Sequence, residues 1–424
     1  MRNTLSISSL VCLIAIHLSG IARADTTRVL FIGNSYTYTN DLPNMFRLLA
    51  LSLGDTVETG MSAPGGYTFQ QHTTNTTTQA AIAQGDWDFV VLQEQSQLPS
   101  FSPAQVAAEV YPFATQLVQQ IQQANPCTET IFLMTWGREN GDASNCASYP
   151  PVCTYSGMQQ RLYESYVAMA EQNSAWCAPV GAVWRAYRNA QPTAALYTDG
   201  SHPNVLGTYI AANTLVSTIF RHATVDATYA PGALSNEQIT EVRTLASEVV
   251  ADSAAIWNIG VNDPLAQFDW TDLGNGAILF ANNTMGAAQQ QWSFGDGNTS
   301  TDFDPQHTYG GAGTYLVELS VEDDCGRTGS ASSELAIIIS AVPERDLVRD
   351  LDLQYDQALQ RIMVTSNNGP AIVELFDIGG RRIYHGSITG STRTITLQRS
   401  FHGQLFWTLG SQDGLRRSGR LVIP

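Results

Sequence analysis

The first half of the chain alternates two kinds of apolar pattern. Short, mainly apolar runs fall at Arg28–Ile32, Asp86–Leu92, Ile131–Trp136 and Val180–Val183. Runs of this kind are strands buried on both faces. Longer segments between them place apolar residues on one helical face. In Leu42–Leu53 that face holds Leu42, Met45, Phe46, Leu49 and Ala50. Further helices are predicted over Pro103–Gln123, Gly157–Glu171 and Pro203–Phe220. This rhythm over 25–225 predicts a parallel sheet with helices on both faces. Ligands bind such sheets at the carboxyl ends of the strands. One more amphipathic helix, Ser235–Trp257, carries a stripe of Ile239, Val242, Leu245 and Val249 and is expected to pack back on this domain. After Asp263 the pattern changes to short alternating strands with Gly and Asn turns, an all-β signature. A second all-β unit starts near Leu347, after a linker at Ser340–Arg345 that contains Pro343. The expected domains are 25–260, 264–340 and 347–424.

Length and composition agree with this division. The 424 residues are too many for one ordinary core, and 43% hydrophobic content makes several cores feasible. The 38 acids against 21 bases give a formal charge of −17, which repels phosphate backbones and anionic membrane surfaces. Nucleic acid is therefore not an expected partner. The N-terminus reads as a secretory signal over residues 1–24. Arg2 is basic, Leu10–Ile16 is apolar, and Ala22-Arg23-Ala24 gives the cleavage pattern. No later segment approaches the ~20 apolar residues a membrane-spanning helix needs.

Beyond Cys12 in the leader, five cysteines remain, and export permits disulfides. Cys146 and Cys153 are close in sequence and suited to pairing. Cys127 and Cys177 each precede a predicted strand and form a candidate second bridge, which leaves Cys325 over. No C-x-x-C pair is present, so no zinc site is expected.

Two motifs carry chemistry. Gly33-Asn34-Ser35 follows a buried strand and precedes a helix, which puts Ser35 at a strand's carboxyl end, near free backbone N–H groups. A nucleophilic serine needs that setting, because its tetrahedral intermediate bears an oxyanion. Taken alone, such a serine is more often a helix cap. Asp199-Gly200-Ser201-His202-Pro203 ends at a helix start. A histidine there is a candidate general base, and Asp199, three residues earlier, a candidate group to orient it. Alone, this would be an Asp-Gly turn with an exposed histidine. What raises both motifs is that they fall in the first and last units of one α/β domain, at its expected ligand edge.

Together these motifs make residues 28–220 resemble the SGNH hydrolases, also called the GDSL-like esterase/lipase family. Phe31-Ile32-Gly33-Asn34-Ser35-Tyr36-Thr37 is similar to its first block, with Asn34 where Asp is commoner. Asp199 and His202 match its D-x-x-H block. Ala63-Pro64-Gly65-Gly66-Tyr67 resembles its second block, which implies an oxyanion-hole N–H from Gly66, with Gly65 as alternative. The third block departs. Where the family has Gly-x-Asn-Asp, the chain reads Gln93-Glu94-Gln95-Ser96, so Gln95 replaces the Asn by offset and Gln93 is its rival. The resemblance implies a three-layer α/β/α flavodoxin-like fold and ester hydrolysis through an acyl-enzyme on Ser35. His202 would be base, Asp199 its orienter, and the Ser35 N–H, Gly66 and Gln95 would form the oxyanion hole, with no metal or organic cofactor. Trp136 and Arg138, at a predicted strand end, are weaker candidates for lining an acyl or sugar pocket. Glu94 reads as a solvated or salt-bridged loop residue and His72 as solvated.

Further on, Trp292-Ser293-Phe294-Gly295-Asp296-Gly297, His307-Thr308-Tyr309 and Gly313-Thr314-Tyr315 resemble a PKD domain, an Ig-like sandwich with Trp292 in its core. It reads as a spacer, with a carbohydrate-binding role for the same domain ranked second. Residues 347–424 are similar to the type IX secretion C-terminal sorting domain. The similar segments are Val373–Arg381 and the closing Gly403–Trp407 and Gly419–Ile423. That resemblance implies export to the surface or exterior of a Gram-negative cell, with the type IX machinery as a partner. The expected activity is deacylation, such as deacetylation, of polysaccharide. A lipase or general carboxylesterase of the same fold, and a non-catalytic surface adhesin, are the alternatives.

Overall fold

The computed structural model describes residues 26–339, 351–356, 361–366, 371–388, 392–395, 403–411 and 416–423. The expected leader and the linker at 340–345 lie outside these residues. The chain divides into two compact units. One comprises Met1–Ala266, Thr284–Gln289 and Ser320–Ser330, and the other the remainder.

The first unit is a five-stranded parallel sheet in the order β2-β1-β3-β4-β5. Its strands are β1 (Thr27–Ile32), β2 (Val57–Ser62), β3 (Phe89–Leu92), β4 (Glu129–Leu133) and β5 (Trp176–Ala178). The helices are α1 (Ser35–Tyr38), α2 (Leu42–Leu51), α3 (Phe69–His72), α4 (Thr76–Ile82), α5 (Pro103–Glu109), α6 (Tyr111–Ala124), α7 (Tyr155–Gln172), α8 (Val180–Ala190), α9 (Val205–Phe220) and α10 (Asn236–Ala251). Alternate strand residues face opposite layers. Val29, Phe31, Val91, Ile131 and Leu133 pack with Leu42 and Phe46 of α2, Val183 and Trp184 of α8 and Tyr209 of α9. Leu30, Ile32, Val90, Leu92 and Phe132 pack with Leu117 and Ile121 of α6 and Met158 and Leu162 of α7. This is the three-layer α/β/α arrangement that the alternation predicts. Val242 and Ala246 of α10 join the first of these cores.

Three elements differ from the pattern reading. Val180–Val183 is the first turn of α8, not a strand. The strand is the three-residue β5 just before it, closed off by Pro179, which has no N–H to extend a ladder. β2 was not foreseen, because its sequence VETGMS on the sheet edge lacks an apolar run. The long helix predicted from Pro103 is broken at Val110 into α5 and α6, with Pro112 just after the break.

The disulfides are Cys146–Cys153 and Cys127–Cys325, and Cys177 is the buried free thiol. The expected Cys127–Cys177 pairing is thus corrected. Cys177 points from β5 into the core with Phe132 and Tyr166 and is fully buried. Cys325 lies in a turn at 323–327, where Arg327 pairs with Glu129 (2.7 Å) and Asp323 (2.7 Å).

The all-β strands that follow are β6 (Phe268–Gly274), β7 (Ala277–Asn282), β8 (Gln289–Ser293), β9 (Thr299–Ser300), β10 (Gln306–Thr308), β11 (Gly313–Glu322) and β12 (Thr328–Ile337). They form two sheets, β10-β7-β6 and β12-β11-β8-β9. Trp292 is fully buried, with its ring 5.2 Å from Phe268 and 5.3 Å from Phe280. Among the C-terminal described residues, β13 (Leu351–Asp356), β14 (Arg361–Ser366) and β17 (Thr392–Ile395) make one antiparallel sheet. β15 (Ala371–Phe376), β16 (Arg382–Ile388), β18 (Gly403–Ser411) and β19 (Arg416–Ile423) make the other. Val364, Val373, Leu375 and Leu405 share one core.

Candidate active site

Ser35 is the first residue of α1, at the carboxyl end of β1. The turn before it admits no side chain at Gly33. A Cβ there would collide with the Thr37 hydroxyl and sit 2.6 Å from Gln93 Oε1. Asn34 caps α1, its Oδ1 accepting from the Tyr36 amide (3.2 Å) while its Nδ2 donates to the Tyr67 carbonyl (2.9 Å). Gln93 Oε1 accepts from the Asn34 amide (3.0 Å) and the Thr37 hydroxyl (2.9 Å). The Asp199–His202 loop enters from the start of α9. Asp199 Oδ1 accepts from the Ser201 amide (3.0 Å) and the His202 amide (2.8 Å), which folds the loop on itself.

The fold brings Ser35, His202 and Asp199 into one chain of contacts. His202 Nε2 lies 2.9 Å from Ser35 Oγ, and Nδ1 lies 2.7 Å from Asp199 Oδ2. An ionised carboxylate only accepts, so Nδ1 carries a proton, and an unprotonated Nε2 can accept from the Ser35 hydroxyl. The His202 amide and then its ring hold the Asp199 carboxyl down to about 2. It therefore stays ionised well into the acid range. This arrangement can move a proton from a serine hydroxyl to an imidazole that keeps the right tautomer.

The Asn34–Tyr67 hydrogen bond ties the nucleophile turn to a second turn. Residues 64–67 form a turn closed by the Tyr67 amide on the Pro64 carbonyl (3.2 Å). Its third residue, Gly66, has φ +72°, in the left-handed region that favours glycine. Among the described residues, neither the Ser35 nor the Gly66 amide is hydrogen-bonded to a protein acceptor. Gln95, the expected side-chain donor, is turned onto its own loop. Its Nε2 donates to Gln97 Oε1 (3.2 Å), and its Oε1 accepts from the amides of Gln97 (2.7 Å) and Leu98 (3.2 Å). The rival Gln93 has its oxygen on the nucleophile turn and its Nε2 on the Glu94 carbonyl.

The remaining candidate residues have varied surroundings. Trp136 is buried between Tyr36 (4.6 Å, 2°) and Trp184 (4.3 Å, 3°) in a three-ring stack. Arg138 keeps a quarter of its side chain exposed and is held by fully buried Asp142 (3.4 Å). His72 is not solvated. It is fully buried, with Nε2 on the Gly33 carbonyl (2.8 Å) and Nδ1 on the Thr78 hydroxyl (2.8 Å), and burial pushes its pKa down. A neutral ring that donates to Gly33 steadies the turn before Ser35. Glu94 is neither solvated nor salt-bridged. It is fully buried and accepts from the amides of Phe69 (3.0 Å) and Gln95 (2.6 Å). Burial pushes its carboxyl up to about 8. Neither role was visible in the sequence, because both depend on loops far apart in the chain. The one local signal was the run of polar residues directly after a buried strand at 93–96.

Comparison with known proteins places two segments. Residues 66–249 match the family model described as a domain of unknown function, DUF4886. Residues 277–339 match the PKD domain model. The first segment contains Gly66, Asp199 and His202 but begins after Ser35. Among solved structures, the chain is similar to a DUF4886 family protein from Bacteroides uniformis. That match has 19% identity and a TM-score of 0.47, covering 53% of this chain and 95% of the other. It is also similar to a protein of Slackia heliotrinireducens proposed to be an SGNH hydrolase. There the identity is 29% and the TM-score 0.38, over 46% of this chain and 98% of that one. Among curated proteins, a 46-residue stretch is 46% identical to collagenase ColA of Bacillus cereus, covering 11% of this chain. The chain spans only 5% of that collagenase.

Proposed function

We propose that the α/β unit is a serine ester hydrolase. The observation that supports this best is the unbroken series Ser35 Oγ, His202 Nε2, His202 Nδ1, Asp199 Oδ2, at 2.9 and 2.7 Å. In this reading Ser35 Oγ attacks the ester carbonyl carbon as His202 Nε2 takes its proton. The oxyanion in this reading is held by the Ser35 and Gly66 amides. The intermediate collapses, the C–O bond breaks, and His202 returns the proton to the departing alcohol. Water then repeats the sequence on the acyl-enzyme, releasing the acid and restoring Ser35.

The alcohol side of the site supports a bulky, water-soluble leaving group. The His202 and Asp199 side chains are 37% and 55% exposed, so the proton-transfer groups sit at the surface rather than down an apolar channel. With the expected export signal and the accompanying β domains, this favours acyl groups on polysaccharide, acetyl first. The PKD domain is then a spacer and residues 347–424 a sorting domain for type IX export. The purified protein should release acetate from acetylated xylan and hydrolyse p-nitrophenyl acetate faster than p-nitrophenyl palmitate. Preference for the palmitate would point to a lipase, and inertness on all three to a binding protein. No helix among the described residues is long and apolar enough to cross a membrane.

Asp199→Asn should lower kcat on p-nitrophenyl acetate by ~10², with KM little changed, because the amide no longer fixes the Nδ1–H tautomer. The carboxylate's exposure keeps this loss toward the lower end of the ~10²–10⁴ range for general-base contributions. An unchanged kcat would remove Asp199 from the proposed site.

A further inference from the structure

Tyr36 follows the nucleophile in sequence, and Ser201 precedes the base. Their hydroxyls lie 2.7 Å apart, although the residues are separated by 165 positions. Tyr36 is 3% exposed, so almost none of its ring is open to solvent. One ring face stacks on Trp136, and the ring meets His202 at 5.6 Å and 70°, edge to face. Trp136 Nε1 in turn donates to the Ser201 carbonyl (3.1 Å). Ser201 is thus held at both its hydroxyl and its carbonyl, by residues from two other segments. Trp184 backs the stack and donates Nε1–H to the Tyr197 hydroxyl (3.0 Å), which donates to the Gly137 carbonyl (2.7 Å). This series of contacts links the chain before His202 to the loop that carries Trp136.

We propose that Tyr36 is a positioning residue that sets the distance between Ser35 and His202 through its hydroxyl contact with Ser201, with Trp136 as its backing. This rests on the ester-hydrolase reading and adds a residue to it. The physical need is plain. Ser35, at the start of α1, and His202, on the loop before α9, come from distant segments, and a proton crosses between them only within hydrogen-bond reach. A misplacement of about 1 Å can cost ~10² in rate. Among the described residues, the Tyr36–Ser201 hydrogen bond joins the neighbours of Ser35 and His202 side chain to side chain.

Tyr36→Phe keeps the ring stack and removes only the hydroxyl. It should lower kcat on p-nitrophenyl acetate about tenfold while KM stays within about twofold, as expected for a group that never touches substrate. Ser201→Ala should lose the same amount, Ser201→Thr should recover most of it, and the double variant should be no worse than either single one. A second readout does not need turnover: the low-field proton NMR signal of the His202 Nδ1–H. In Tyr36→Phe it should broaden or exchange faster, and in wild type it should stay sharp. Multiplying losses in the double variant, or Tyr36→Phe with wild-type kcat and an unchanged Nδ1–H signal, would overturn the proposal. If wild type proves inert but the signal still weakens in Tyr36→Phe, the positioning stands and the hydrolase reading falls.

Discussion

Alanine at position 35 should cut kcat for p-nitrophenyl acetate by about 10⁶-fold, leaving a residue of catalysis from the oxyanion donors and binding alone. The magnitude follows from the role. Without Oγ there is no acyl-enzyme, and water must attack directly from a site built to hold a different nucleophile. His202→Ala should cost nearly as much, and adding it to Ser35→Ala should cost little more, since the two act as one unit. Wild type, but not Ser35→Ala, should be labelled at that residue by a fluorophosphonate. The substitution removes one oxygen from a half-buried side chain, so the far-ultraviolet circular dichroism of the two proteins should superimpose. Equal turnover by both, or by neither, would refute catalysis at Ser35.

The separation between what sequence revealed and what it hid follows from range. The strand Arg28–Ile32 and the helix from Leu42 are local patterns, and they appear where periodicity puts them. Ser35, Asp199 and His202 were legible because each sits in a short motif at a strand end or helix start. β2 was hidden because an edge strand needs no continuous apolar run, and Val180–Val183 misled because a buried helix turn and a buried strand look alike over four residues. Cys127 finds its partner 198 residues away, a distance no spacing rule covers. His72, Glu94 and Tyr36 were missed for a related reason. Each is an ordinary loop or helix residue until the fold closes, and then each is buried against the backbone or loops of the candidate site. Gln95 illustrates the converse. Offset assigned it a donor role, but its amide has two neighbours on its own loop.

Glu94 should make the α/β unit less stable as pH rises from about 4.5 to about 8. The sign follows from the direction of the shift. Burial raises the folded carboxyl from 4.5 to about 8, against the pull of the Gln95 and Phe69 amides. Across that window the unfolded chain has released the proton while the folded chain still holds it. Folding stability therefore falls with each unit, by about 1.4 kcal/mol. The contribution is complete below the unfolded value and gone above the folded one, a loss of roughly 4–5 kcal/mol across the window. Tyr166 lies near the carboxyl, and its own hydroxyl, pushed up by burial, stays neutral and adds no repulsion in this range. Glu94→Gln removes the titration and keeps the shape. Urea unfolding of the full chain, followed by tryptophan fluorescence, should show wild type losing those 4–5 kcal/mol relative to Glu94→Gln between pH 4.5 and pH 8. Any fixed offset between the two proteins reflects the exchange of a carboxyl for an amide, and only the slope reports the proton. Parallel curves would mean that the Glu94 proton binds folded and unfolded chains alike. A slope of the expected sign would show that the carboxyl joining the Gly66 loop to the Gln95 loop is kept out of water at a cost in stability, the price of fixing both loops on one side chain.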